Sequence, residues 1–522
     1  MIRSAAILFV SALFLVQPGF AQDGSGDPKS AADKFAAGNY DEALEEYLDL
    51  LEKEPKSEKY NYRVAVCYLN TNINKAKAIP YLEIVTRQTK YEPDALYLLG
   101  RAYHFAYRLD DALKAYNKFK EGAKGTPENL AEVDHEIQNC YNAKELLKYP
   151  LNVTFENLGP NVNSSYSDYY PFVPADESSI TFSTRRPEGG NLRNADGSYY
   201  AAVFNATVKD GAFTRAKNIG APISNDKGNV EVIGLSSAGD RILVYYDNID
   251  GSGDIYLSEI DKTKGYFKKP VKLDDNVNSA KGYEIAASIS SDGNTIYFAS
   301  DRAGGQGGTD IFMSKRLPTG KWGPPVNLGT EINTKMDEDF PSLSPDGKTL
   351  YFSSKGHTSM GGYDIFKAEL NEETGKFGSV KNLGYPINTP EDNSNFCISE
   401  NGRYGYIAAM REGGLGDYDI YRVTFNDVEP RYSVISGTLS AENKTPFSYS
   451  DVFITVTNMK NAELVGNYVP NANSGRYVII LPPGEYSMTV ETPGFKEITE
   501  KLSIMDKSSF RTEIDKNIVL KQ

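Results

Sequence analysis

Cysteine, histidine and tryptophan are scarce in this sequence of 522 residues, which holds three, three and one of them. The cysteines, Cys67, Cys140 and Cys397, are odd in number and scattered, so there is no evident disulfide framework and stability has to come from packing. A Cys67–Cys140 bridge would require their two helices to touch; small buried hydrophobes are the simpler reading. The histidines, His104, His135 and His357, offer no pair at metal-ligand spacing. Positive charge is also short: 56 Lys and Arg against 70 Asp and Glu leave a net charge of −14. That balance disfavours nucleic acid, whose phosphates need clustered cations, and simple adhesion to anionic lipid. Neither a Gly-Xaa-Ser-Xaa-Gly elbow nor a phosphate loop occurs. After the first stretch, no apolar run approaches a membrane span.

That first stretch, residues 1–21, reads as a secretory signal. Arg3 is its charged start, Ala5 to Val16 its apolar centre, and Gly19 to Ala21 a small-residue cleavage site. No Cys lies near the cleavage point, so lipid attachment there is not expected, and the mature chain is expected to be exported and soluble. Residues 22–29, rich in Gly, Asp and Ser, read as a mobile leader. With 40% hydrophobic and 24% charged residues, the remainder is ordinary globular protein, and its length implies two to four domains.

The most informative feature is a phrase repeated along residues 150–425. SPDGKTLYFSS (Ser344 to Ser354), GGYDIF (Gly361 to Phe366) and VKNLGYPIN (Val380 to Asn388) recur upstream as SSDGNTIYFAS, GGTDIF and PVNLGTEIN. The central residue of each Asn-Leu-Gly-like triplet falls at Leu158, Ile219, Leu273, Leu328 and Leu383, intervals of 61, 54, 55 and 55 residues. Each unit supplies short β-type strands separated by Asp-Gly or Asn-Gly turns, the pattern of a propeller blade. The first fourth-strand word (Val153 to Gly159) precedes any three-strand word, and the last three-strand word has no fourth strand after it. The expected ring therefore has five blades, with six as the alternative count, and closes when the N-terminal strand completes the last one, which removes an open sheet edge. Phe213, Phe267, Trp322 and Phe377 each lie six residues before a marker and should pack equivalently. Asp254, Asp310, Asp364 and Asp419 open the recurring Asp-Ile word, and the reading is that they accept backbone N–H groups at a turn.

Residues 30–149 change to helical periodicity. Ala43 and Ala112 are 69 residues apart, two tetratricopeptide (TPR) periods, with a looser copy between them and a capping helix over Leu130 to Lys148. Residues 426–431 read as a linker. Residues 432–522 alternate as strands broken by Pro-Pro-Gly and Pro-Gly, which argues a small Greek-key β-sandwich. The fold class expected is thus α-helical TPR repeats, then a five-bladed β-propeller, then a β-sandwich.

The phrase Ser-Pro-Asp-Gly-Lys-Thr-Leu-Tyr-Phe-Ser-Ser resembles the TolB-type, WD-like repeats of periplasmic proteins. Gly475-Arg476-Tyr477 and Pro483-Gly484-Glu485-Tyr486 resemble the carboxypeptidase regulatory-like (transthyretin-like) fold. The order of signal, TPR, propeller and regulatory-like sandwich resembles the PorE-like family of Bacteroidetes, associated with type IX secretion and gliding. Such proteins usually end in an OmpA-like domain that grips peptidoglycan, and a lipid anchor occurs among them; this sequence departs from both. The resemblance implies a periplasmic or outer-membrane-associated scaffold whose partners are envelope proteins of a secretion or gliding complex, peptidoglycan-linked or in the outer membrane.

No enzyme chemistry and no cofactor is expected. Asp250 to Asp254 sets oxygens at alternate positions, but Ile255 sits where a calcium loop needs Gly. Partner binding is the stronger expectation. Tyr62, Tyr97, Arg101 and His104 fall on helix positions that would face a TPR groove, or else are solvated polar positions. Arg185, Arg186, Arg302, Lys355 and Arg411 follow second strands and would ring one rim, either to hold an acidic peptide or carboxylate terminus or to serve solubility. A periplasmic glycan- or peptide-binding protein, or a glycosidase using the propeller pocket, is the rival reading.

Overall fold

The computed structural model describes residues 26–122, 127–187, 192–224, 228–247, 253–505 and 510–522. The expected signal peptide, residues 22–25 of the leader and residues 250–252 of the calcium candidate lie outside the described residues.

The described residues open with seven α-helices: α1 (Pro28–Ala36), α2 (Tyr40–Lys53), α3 (Glu58–Asn70), α4 (Ile79–Thr86), α5 (Ala95–Phe105), α6 (Leu109–Gly122) and α7 (Pro127–Leu146). Their apolar positions at helical spacing turn inward. Tyr47 of α2 and Tyr116 of α6, the matching large residues of the two clearest repeats, are fully buried. Gly100 makes room for the second, since a Cβ there would come within 2.5 Å of the Tyr116 ring. The looser middle copy has a physical cause. Pro80 at the start of α4 and a 3-10 turn over Lys75–Ala78 replace the first part of that repeat's second helix. The leader is shorter than expected: Asp27 already caps α1 by accepting from Lys29 N (3.0 Å), with Pro28 at the first helical position. Cys67, Cys140 and Cys397 are buried and free.

Five sheets follow. Sheet I holds Asp168–Phe172, Ser179–Thr184 and Ala202–Lys209 with two short strands after them. Sheets II, III and IV begin at Val230, Ala287 and Glu338 and have four strands each. Sheet V is made of Cys397–Ile398, Tyr404–Ala409 and Asp419–Phe425, and its fourth strand is Val153–Asn157 from the beginning of the region. Val153 lies opposite Phe425 and Asn157 opposite Tyr421, so the first strand completes the last sheet. Each sheet packs on the next, and the first strand of sheet I packs on sheet V, closing the circuit.

Within this circuit one side chain recurs as a fastener. Asn163, Asn278, Asn333 and Asn388 each stand five residues after a triplet marker and are buried. Their Oδ1 accepts the backbone N–H of Ile420, Ile255, Ile311 and Ile365, at 2.8 Å in every case. Their Nδ2 donates to the carbonyls of the same isoleucines at 2.8–3.0 Å. The amide thus imitates one more residue of a neighbouring strand where the true fourth strand has ended. In sheet I, Ser224 makes the shorter version of this contact to Val203. The aspartates of the Asp-Ile word act as turn acceptors: Asp419 takes Leu415 N (2.6 Å), Asp364 takes Met360 N (2.9 Å) and Asp310 takes Gln306 N (2.5 Å). Asp254 pairs with Lys272 at 2.7 Å.

Residues 426–431 are not a free linker. Asn426 is hydrogen-bonded to Asn152 and Thr154, and Arg403 donates to Val428 O, so the segment is tied to sheet V. After it come two four-stranded sheets around one core that includes Ile435, Ile454, Tyr477, Ile479, Met488 and Val490. Ser433–Ala441 pairs in parallel with both Glu513–Asp515 and Ile518–Leu520, so the arrangement is not purely antiparallel.

Replacing Asn388 or Asn333 by Ala leaves the buried N–H of Ile365 or Ile311 without an acceptor, while the carbonyl keeps the N–H of Leu383 or Leu328, so each change should cost about 1–3 kcal/mol, the usual penalty for one orphaned group. Urea unfolding followed by tyrosine fluorescence checks this; a loss below about 1 kcal/mol would mean that the fastener is ornamental.

Candidate binding cleft between helices and sheets

The helices do not stand apart from the sheet circuit. From α7, Asn139 Nδ2 donates to Gly361 O (3.0 Å) and Asn142 Nδ2 to Ser359 O (2.8 Å). Met360, on the loop between them, is buried in the helical core beside Tyr116 and Cys140. Tyr107 stacks edge-on against Tyr385 with ring centroids 5.9 Å apart, and Lys75 forms an ion pair with Glu391. The contact leaves a cleft of three adjoining cavities, of about 290, 170 and 360 Å³, all lined by Asp392 and Tyr418.

The largest cavity sits over tyrosines of the innermost strands. Tyr170 and Phe340, from sheets I and IV, meet with centroids 5.1 Å apart. Tyr169 packs on the first at 4.7 Å and Tyr363 on the second at 6.2 Å. Both Tyr170 and Phe340 hold positive φ (51° and 49°) and precede a proline, and a register shift lies at each place. That strained bulge turns a strand side chain out of its normal alternation and towards its opposite number. Around the rings stand Arg185, Glu231, Ser394 and Asn72. Glu231 accepts from Tyr169 Oη (2.5 Å) and faces Arg185 at 3.5 Å. Asp339, next to Phe340, is 2% exposed and accepts only the Phe340 N–H (2.7 Å); burial pushes its carboxyl up to about 7.

The nine candidate residues divide. Arg101, His104, Arg185 and Arg411 line the cleft. Tyr62 and Tyr97 are not ligands of an open groove. Tyr62 donates to Asp94 at 3.0 Å, and Tyr97, 4% exposed, donates to Glu132 at 2.8 Å and packs on Tyr116 and Phe119. The face they occupy is filled by α7 and the preceding loops. His104 is likewise buried, with Nδ1 3.8 Å from Glu136.

The rim cations are drawn into the sheets rather than offered to a partner. Arg186 lies over Phe182 and Phe204, pairs with Asp168 at 2.7 Å and donates to Val162 O. Arg302 lies over Phe298 and Phe312, pairs with Glu284 at 2.9 Å and donates to the carbonyls of Asn276 and Val277. Arg411 lies 3.3 Å over Phe155 and donates to Pro386 O (2.7 Å). In sheet IV, His357 fills this role, with Nε2 donating to Ile332 O (2.9 Å) beside Phe352 and Phe366. In four of the five sheets, then, a guanidinium or imidazole side chain stitches the second strand to a loop carrying a fastening Asn. Lys355, over Tyr363 and 2.9 Å from Asp337, remains one-third exposed.

Sequence reasoning missed Tyr169, Tyr170, Phe340, Tyr363, Glu231, Asp339, Asp392 and Tyr418. Two of them left a trace: Tyr170-Pro171 and Phe340-Pro341 break strand alternation at the same point of two repeats. Among the described residues no group of three His, Cys, Asp or Glu is placed to hold a metal ion, and no helix is long and apolar enough to cross a membrane.

A family model for the tetratricopeptide repeat matches residues 29–75 and 72–126. The helical region is a TPR array. No curated protein matches the chain. Among solved structures, TolB from Acinetobacter baumannii is similar at 16% identity and a TM-score of 0.33, over 51% of this chain and 56% of that one. A putative TolB from Agrobacterium tumefaciens is similar at 17% identity and 0.29, over 48% and 72%. An endo-arabinase from Bacteroides thetaiotaomicron VPI-5482 is similar at 14% identity and 0.32, over 49% and 93%. The chain spans little more than half the length of the Acinetobacter TolB.

Two measurements test the cleft and rim. Arg302→Leu should cost about 3–5 kcal/mol, because it strands the buried Glu284 carboxylate, whereas Lys355→Ala should cost less than about 1; equal losses in chemical denaturation would refute the distinction. For Asp339, a folded pKa raised from 3.8 to about 7 means the native state holds its proton longer than the unfolded chain. Its contribution is therefore intact below pH 4 and falls as pH rises towards 7. Asp339→Asn keeps the acceptor for Phe340 N, so its stability relative to wild type should increase between pH 4 and 8 and then level off; a pH-independent difference would refute the assignment.

Proposed function

We propose that this chain is a non-catalytic protein-interaction scaffold of the bacterial envelope. In this reading, residues 30–149 form the TPR array, 150–425 a five-bladed TolB-type propeller and 432–522 a carboxypeptidase regulatory-like sandwich, exported by the signal at 1–21. The partners are envelope proteins of a secretion or gliding complex of the type IX kind. The supporting observation is where the charged side chains go. Arg186, Arg302 and Arg411 are spent on aromatic faces and loop carbonyls within the circuit, and α7 fastens the helices onto it through Asn139 and Asn142. What remains is a composite surface made by two kinds of repeat, suited to holding other proteins at a fixed relative geometry.

The rival keeps one observation in its favour. Glu231 lines the aromatic mouth and Asp339 is buried beside it, and tyrosines with carboxylates also suit a glycan. In-cell crosslinking of the tagged full chain followed by mass spectrometry should recover secretion or gliding subunits, at sites lost when exposed residues of the cleft edge are changed. Recovery of no envelope protein, or hydrolysis of envelope glycans by the purified chain that is abolished in Glu231→Gln, would overturn the scaffold.

A further inference from the structure

The cavity of about 290 Å³ in the cleft carries side chains of both charges. The helical wall presents Lys75, Arg101 and Glu136 beside His104; the sheet wall presents Glu391 and Asp392. One pair is closed directly, Lys75 to Glu391. The other is not. Arg101, half-buried over the Phe105 ring at 5.6 Å, makes no hydrogen bond or ion pair among the described residues. Asp392 uses Oδ1 to accept from Tyr363 N (2.9 Å) and forms no ion pair there either.

Two further polar atoms of this cavity lack protein partners. His104 Nε2 and Tyr116 Oη are buried without a hydrogen bond, on side chains 3% and 0% exposed. A buried polar atom left unpaired costs about 1–3 kcal/mol. Two such atoms beside an unengaged guanidinium therefore point to a ligand rather than to packing. Burial holds the Tyr116 hydroxyl well above its ordinary pKa, so it stays an O–H donor. Glu136 also faces this corner; burial acts against its charge, but His104 and Arg101 keep its carboxyl below the usual range.

The charge balance decides the ligand class. Lys75 and Arg101 offset Glu391 and Asp392, and Glu136 is in surplus, so a simple anion gains no net attraction from the pocket. A molecule with an anionic and a cationic end gains from both unengaged groups, and the planar guanidinium fits a carboxylate through two parallel N–H donors. We propose that this pocket binds a small zwitterion of the amino-acid or dipeptide class, its carboxylate on Arg101 beside Tyr116 and His104, its ammonium towards Asp392. The site is composite: neither the helices nor the sheets complete it alone, and it does not depend on which complex the chain serves.

Isothermal titration calorimetry of the mature full-length chain tests this with L-alanine and L-alanyl-L-alanine, with acetate and ethylamine as single-charge controls. At least one zwitterion should bind, with each control at least tenfold weaker, and the tighter of alanine and alanylalanine assigns the ligand's length. Arg101→Leu and Asp392→Asn should each weaken that binding at least tenfold. Asp392 is exposed, so its variant is expected to fold with an unchanged melting temperature. Equal binding of acetate and alanine, full binding by Asp392→Asn, or no heat from any of the four probes would overturn the proposal.

Discussion

The sheet circuit depends on a side-chain amide standing in for a strand. In sheets II to V the fourth strand, only two residues long in sheets II and III, ends one residue before it reaches the isoleucine near the start of the third strand. Asn163, Asn278, Asn333 and Asn388 supply the missing acceptor for that isoleucine's N–H, and a second donor to its C=O, from the loop that leads to the next sheet. The same bond pair therefore finishes one sheet and fixes where the following one begins. Because Asn163 follows Val153–Asn157 and binds Ile420, this device also seals the junction between the first strand and the last sheet. An amide suits the position because it is donor and acceptor in one plane; a carboxylate would offer only acceptors.

The stitching side chains build on that fastener. Arg186, Arg302, His357 and Arg411 donate to the carbonyls of Val162, Val277, Ile332 and Pro386, all within two residues before a fastening Asn. The loop is thus held from both sides, by its own amide on the third strand and by a guanidinium or imidazole from beneath. Guanidinium suits this because it stays charged, spreads flat on an aromatic ring and still has edge N–H groups for a carbonyl. A rim that reads as a basic binding surface is consequently neutralised from within.

Much of the β region was legible because turns and pleats are local. Asp346-Gly347 requires a positive φ, which Gly347 takes at 70°, and alternation over Thr349 to Ser354 follows from strand geometry alone. Closure by Val153–Asn157 followed from counting three-strand words against fourth-strand words. What escaped depends on packing between distant parts. Tyr97 and His104 sit at positions that face outward in an isolated helical pair, but α7, with Glu132 and Glu136, covers them. Arg302 could not be distinguished from Lys355 without knowing that Phe298 and Phe312 flank one guanidinium. Tyr170 and Phe340 belong to adjacent-looking strand words, yet only the bulge before Pro171 and Pro341 brings rings from sheets I and IV together.

The place where the helices land gives the cleft its character. Gly361 and Gly362 pass so close to Pro390 and Asp392 that a Cβ would fall 2.3 and 2.1 Å from their atoms. That thin, flat loop lets α7 approach near enough for Asn139 and Asn142 to reach backbone carbonyls and for Met360 to enter the helical core. An apolar plug with flanking amides resists sliding more than a wholly apolar contact would, since any shift leaves carbonyls and amides unpaired. Near the axis of the sheets, by contrast, the two parts stand off and leave the cavities that share Asp392 and Tyr418. Contact is therefore tight at the rim and open over the aromatic centre, so whatever occupies the opening touches a helix and a strand loop together. Occupancy and the relative placement of the two repeat arrays are then coupled by geometry, because neither wall can move without changing the other's distance to the ligand.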